Sequence, residues 1–135
     1  MSSTDFFPTL LELAGADRGA STTATDGVSI VPLLRGAPAL PGRDLFWHYP
    51  HYWHGGKVSP YSVVRSGDWK LIRFHESGRE ELYDLKADLA EQHDRAPDCP
   101  DIRQQLGDRL DAWLKQVGAQ MPVPVAVAPP AAPAP

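Results

Sequence analysis

Tyr61-Ser62-Val63-Val64-Arg65-Ser66-Gly67-Asp68-Trp69-Lys70-Leu71-Ile72-Arg73-Phe74 is the stretch that decides the fold class. Two runs rich in β-branched and aromatic residues flank Ser66-Gly67-Asp68, a tight connection with glycine where a positive φ is expected. In the second run Trp69, Leu71 and Arg73 point to one side, while Lys70, Ile72 and Phe74 point to the other. The alternation is imperfect, so both faces are expected to be partly covered. Working outward, Glu81 to Leu85 follows a turn at Ser77-Gly78, and Asp44 to Tyr49 is an aromatic run stopped by Pro50. Closely spaced strands joined by short turns predict a small antiparallel sheet of three to four strands.

Further along, a helix is predicted from about Cys99 to Val117. Asp98 and Asp101 have the spacing of a capping box. Ile102, Leu106, Leu110, Trp113, Leu114 and Val117 recur at helical spacing and form one stripe, and Gly118 ends it. One apolar stripe beside an antiparallel sheet predicts an α+β layer, with the helix across one sheet face. Trp69 and Trp113 are assigned to that interface. Beyond Met121 the proline- and alanine-rich run cannot build a core and is expected to be a mobile, partly extended tail.

Upstream, Thr4 to Ala14 reads as a helix that Thr4 or Asp5 can cap, with Pro8 in its first turn and Gly15 as terminator. Phe6, Phe7, Leu10, Leu11, Leu13 and Ala14 make it too apolar to stand alone in water. Ala16 to Thr25 is a loop of small and polar residues. Asp26 to Leu34 is a short apolar segment of one or two helical turns, closed by Gly36.

The 135 residues suffice for one compact domain, and an apolar share of 42% is that of a chain that folds. A net charge of −4 with no basic stripe argues against a nucleic-acid partner. No run approaches the roughly 20 apolar residues of a membrane span. The opening Met-Ser-Ser-Thr-Asp has no basic and apolar leader pattern, so the product is expected to stay where it is made. A single cysteine, Cys99, gives neither an internal disulfide nor a cysteine-rich zinc site.

The order of these pieces carries more information than any one of them. Asp5-Phe6-Phe7-Pro8-Thr9-Leu10-Leu11-Glu12-Leu13-Ala14-Gly15 is followed by Asp26 to Gly36 and then by Leu45-Phe46-Trp47-His48-Tyr49-Pro50. Val64 to Ile72, Glu81-Leu82-Tyr83-Asp84-Leu85 and an acidic stretch complete the series. In this order, over roughly Ser3 to Pro122, the chain resembles the C-terminal region of sulfatases, the alkaline-phosphatase-like, formylglycine-dependent hydrolases of sulfate esters and sulfamates. Leu89 stands where the family usually has a proline, and His93-Asp94 where an asparagine-leucine pair is common.

The resemblance implies that residues 1–42 are the tail end of the large sulfatase domain. Residues 43–118 would then be the C-terminal subdomain and 119–135 a disordered tail. The apolar first helix would belong to an α/β body that these residues do not include. The parent family uses calcium and a formylglycine made in a Cys/Ser-x-Pro/Ala-x-Arg motif, with metal ligands, lysines and histidines upstream of the region matched. No cofactor and no catalytic or metal-ligating residue is therefore expected in this chain. Cys99-Pro100-Asp101-Ile102-Arg103 has cysteine and arginine at the motif's spacing, but Asp101 stands where proline or alanine is required.

His48, His51 and His54 sit three apart, a spacing that raises the question of a transition-metal site. Pro50 and Gly55-Gly56 spread them over a strand end and a loop, which argues against one. The resemblance implies that the segment after this strand approaches the active-site cleft, so His48 and His51 become candidates for contact with substrate. Ordinary strand-end aromatics with half-exposed histidines are an equally good reading. Lys70 and Arg65 read as hairpin charges, and Asp84, Asp88 and Glu91 as a solvated acidic turn without the glycine and glutamate of a calcium loop.

The function expected is that of a C-terminal sulfatase piece that packs against a catalytic domain, lines the substrate cleft and is not catalytic alone. The alternative is a separately encoded interaction module completing a split sulfatase. Met1 lies a few residues before a motif that in similar proteins sits deep inside the chain, which raises a truncated or mis-started frame. The partner expected is the catalytic sulfatase domain, in cis or in trans, with sulfate ester only in the complete enzyme. Compartment and substrate have no sequence signal here; relatives are often periplasmic, extracellular or lysosomal.

Overall fold

Tyr61–Ser66 (β2) and Trp69–Phe74 (β3) pair antiparallel from Ser66↔Trp69 to Tyr61↔Phe74 across a two-residue turn. Gly67 takes φ +59° and Asp68 does not share a positive φ, the pattern of a type II′ turn, whose twist suits adjoining strands. Leu45–Tyr49 (β1) pairs with β2, and Glu80–Asp84 (β4) pairs with β3, so the order is β1-β2-β3-β4, all antiparallel. The computed structural model describes residues 1–16, 26–52 and 58–123. It divides into two compact units, Met1–Arg43 and Asp44–Pro135.

The alternation read from β3 matches the second unit. Leu71 turns inward with Val64 of β2 and Leu82 of β4, all wholly buried, against Leu106, Leu110 and Leu114 of the terminal helix Pro100–Gln116 (α3). Each such buried leucine contributes roughly 2 kcal/mol of apolar burial. Phe46 of β1 stacks on Trp113 at 4.9 Å, with rings 6° from parallel, and Trp69 packs at the margin. Val117, placed in the apolar stripe, is instead 52% exposed at the helix end. Gly118 then takes φ +59°.

Gly107, buried within α3, faces Arg73, which bridges Glu80 and Asp111; an added Cβ would lie 3.0 Å from its guanidinium. The expected capping box does not form. Cys99 is the N-cap with no side-chain cap bond, and Asp98 pairs with Arg95 instead. The free edge of β4 is closed by the loop that follows: Asp94 accepts from the Leu82 amide at 3.0 Å, and the Arg95 amide donates to Leu82 O at 2.7 Å.

In the first unit the single expected helix is a 3₁₀ turn, Ser3–Asp5, running into Phe6–Leu13 (α1). Asp5 makes no cap bond to that helix, because its carboxylate is taken by the Ser2 and Val28 amides and by Arg43. The Thr9 hydroxyl donates to Asp5 O and accepts from the Ile30 amide, so Asp5 and Thr9 bind the segment leading into Val31–Leu34 (α2). Gly27 is required there, since a Cβ would stand 2.0 Å from Thr4 O. The buried side of α1 is thus Pro8 and Thr9, while Phe6, Phe7, Leu10 and Leu13 are each more than half exposed. The 17–25 loop and the tail from residue 124 lie outside the described residues.

Candidate functional site

His48 alternates with Phe46 and so projects from β1 on the α3 side of the sheet; its register partner is Ser62. Ser62 occupies an inward position between Val63 and Tyr61 and is wholly buried. Its hydroxyl lies 2.7 Å from His48 Nδ1 and 2.7 Å from His75 Nε2, where β3 runs into its turn. The two imidazoles meet edge to face with centroids 5.5 Å apart. His48 Nε2 sits 2.9 Å from the carbonyl of Gln120, just past α3.

These contacts determine a proton order. A carbonyl only accepts, so His48 Nε2 carries hydrogen, and in the neutral ring Nδ1 is an acceptor. Ser62 then donates to His48 Nδ1 and accepts from His75 Nε2–H. The chain runs in one direction, from His75 through Ser62 and His48 to Gln120 O. Burial, reinforced by His48 and Arg73, pulls the His75 pKa below its ordinary value against the opposing pull of Asp111. Ser62 is not an accessible nucleophile, because no part of it reaches the surface.

His51 lies beyond Pro50, exposed, with its ring edge on Tyr49 at 5.8 Å, and Tyr49 packs on Tyr61 at 5.6 Å. The structure therefore separates the two candidate substrate contacts: His48 is held at both nitrogens and His51 faces outward. His54 lies outside the described residues. Sequence reading missed Ser62, His75 and the Gln120 carbonyl. The available signal was a serine at a core-facing position of an otherwise apolar strand.

Among the described residues, no three of His, Cys, Asp and Glu gather so as to hold a metal ion. The carboxylates of the acidic turn are already engaged. Asp84 accepts from the Lys86 and Ala87 amides, Asp88 from those of Gln92 and His93, and Glu91 pairs with Lys70. Cys99 opens α3, and Arg103 of the same run lies 3.7 Å from Glu80. These residues fit neither a calcium cage nor a formylglycine nucleophile.

Residues 1–116 match the family described as N-sulphoglucosamine sulphohydrolase, C-terminal. The chain is 34% identical over 123 residues to a sulfatase of Formosa agariphila, covering 82% of this chain and 22% of that protein. It is 33% identical over 91 residues to an N-acetylglucosamine-6-O-sulfatase of Bacteroides thetaiotaomicron, covering 64% of this chain and 16% of that one. Among solved structures, it resembles one in complex with its substrate D-glucosamine-2-N,6-O-disulfate. There the TM-score is 0.68 at 28% identity, over 87% of this chain and 24% of the other. The chain thus spans about a fifth of the length of the curated relatives it matches.

Proposed function

The chain belongs to the C-terminal family of N-sulphoglucosamine sulphohydrolase, and from that premise we propose that it completes a sulfuric ester hydrolase, contributing structure and cleft lining rather than the catalytic centre. One observation carries the proposal: a match to a C-terminal family over residues 1–116 in a chain that spans only 22% of a full relative. The exposed apolar side of α1 supports it, since Phe6, Phe7, Leu10 and Leu13 have no cover among the described residues of their own unit and suit a larger body.

In this reading the nucleophile and the calcium ligands belong to the catalytic domain, whether it is joined to this chain or supplied in trans. The β1 end faces the cleft. His48, locked at both nitrogens, holds the strand end, and His51 is free to touch the part of the ester that carries the sulfate. An N-acetylglucosamine-6-O-sulfatase among the relatives, and a similar structure in complex with its substrate D-glucosamine-2-N,6-O-disulfate, point to sulfated amino sugars as the first substrates to try.

Replacement of the matching region of the Formosa agariphila sulfatase by this chain tests the proposal. Retained ester hydrolysis, with none from the enzyme lacking that region, is the expected result. A hybrid that folds and matures its nucleophile but stays inactive contradicts it. The split-enzyme alternative is distinguished by mixing the two polypeptides unlinked.

A further inference from the structure

Ser62 is wholly buried, and its hydroxyl bonds to two titratable rings, His48 and His75. A hydroxyl has one hydrogen to donate and lone pairs that accept. That inventory limits how many protons the three residues hold. With both rings neutral, His75 Nε2–H donates to Ser62, Ser62 donates to His48 Nδ1, and His48 Nε2–H donates to Gln120 O. One added proton fits. On His75 Nδ1 it leaves every bond in place. On His48 Nδ1 it reverses the middle of the chain: His48 donates to Ser62, and Ser62 donates to His75 Nε2 once the His75 hydrogen has moved to Nδ1. In either case His48 Nε2–H stays on Gln120 O.

A second proton does not fit. Both rings then donate to Ser62, and the buried hydroxyl hydrogen is left without either ring as acceptor, which costs its full desolvation. Two imidazolium rings would also face each other with centroids 5.5 Å apart. One ring has to leave. His75 keeps a counter-charge in Asp111 of α3, against the opposing charge of Arg73 of β3. Arg73 is itself paired with Glu80 of β4 and with Asp111, and Glu76 is turned to the Tyr52 hydroxyl. His48 is half-buried on β1, the outermost strand, and its outer bond to Gln120 lies at the surface. Its nitrogens bond a hydroxyl and a carbonyl, with no carboxylate among the described residues to hold it in place once charged. His48 is therefore the ring that moves to water.

We propose that His48, Ser62 and His75 form an acid-operated latch on the segment leaving α3: it stays closed with no proton or one on the two rings, and opens when both are charged and His48 swings off Gln120. Burial, then His48 and Arg73, hold His75 below its ordinary pKa. The closed state is thus full above about pH 6.5 and is lost as pH falls through the lowered value. What the latch restrains is the chain just past the helix, where Ala119 packs on the core and its amide donates to Leu114 O at 2.9 Å. The device lies within the Asp44–Pro135 unit and does not depend on what the chain is joined to.

Nuclear magnetic resonance of the full chain, following both rings from neutral to acid pH, tests it. The wild type should take up protons in two separate steps that belong to the pair. Contacts between the His48 ring and Gln120 should persist through the first step and vanish at the second, where protection of the Ala119 amide falls at least tenfold. His75→Gln keeps a side chain that donates to Ser62 or accepts from it, without a charge. That variant should titrate in one step and keep the Gln120 contact at the pH where the wild type has lost it. If it does not fold, the wild-type titration alone decides. A His48 midpoint unchanged by His75→Gln overturns the coupling, and a His48–Gln120 contact that survives the second step overturns the latch. Loss of protection at Leu110 at or before that step also overturns it, because the release is then unfolding of the whole unit.

Discussion

Asp5 is 1% exposed and holds together the start of α1, the Val28 amide and the Arg43 guanidinium. Burial pushes its pKa up, but hydrogen bonds from Ser2, Val28 and Arg43 outweigh that and leave it below the ordinary carboxylate value. A lowered folded pKa means stability that is present above the unfolded value, about 3.9, and is lost as pH falls through the folded one. Asp5→Ala should cost on the order of 2–3 kcal/mol, since it strands Arg43 and two amides. Hydrogen exchange of the Val28 and Ile30 amides checks this, and acidification should release them in the wild type first. Ser62 poses the complementary case. Ser62→Ala leaves His48 Nδ1 without its donor and should cost about 1–3 kcal/mol in thermal unfolding. His75, with its folded pKa lowered, contributes stability that is full above about pH 6.5 and declines as pH falls through the folded value. In the neutral ring, nitrogen chemical shifts of His48 should show hydrogen on Nε2 rather than Nδ1. Neither network could be read from the sequence, because Ser62 lies 14 residues from His48 and 13 from His75, and only strand register brings them together.

The second unit's elements were mostly legible, since their determinants are local. Alternation and a glycine at the turn define β2 and β3, and the period of Leu106, Leu110 and Leu114 defines α3 and its buried side. Leu110, wholly buried between helix and sheet, is the position where truncation should cost most. Leu110→Ala is expected to destabilise by about 2–5 kcal/mol in denaturant unfolding. An effect under about 1 kcal/mol would mean that α3 does not pack as described. Reading failed where a side chain serves a distant partner instead of its own helix. Asp98 and Asp101 had the spacing of a cap, but the chain enters α3 through Cys99. For α1 the sequence predicts an apolar face that needs a cover. That this face is exposed, while Pro8 and Thr9 are buried, depends on the 26–30 segment, which periodicity does not reveal.

As a whole molecule the chain is a C-terminal sulfatase domain with an apolar helix face and an apolar sheet face, and with His48 and His75 joined in one hydrogen-bond chain and many of its described carboxylates engaged in turns and ion pairs. Cleft lining has its own prediction. In an active hybrid, His51→Ala should raise KM for a sulfated amino sugar several-fold and leave kcat nearly unchanged, because the residue binds and does not react. Equal loss in kcat would mean that His51 acts in the transition state and not in binding alone. The central claim is that the chemistry lies in a partner domain. Its most direct test is turnover of a chromogenic sulfate ester, with calcium, by the purified chain alone and then with a matured catalytic domain. No turnover is expected from the chain alone, and turnover is expected once the catalytic domain is joined. Hydrolysis by the isolated chain would contradict that claim.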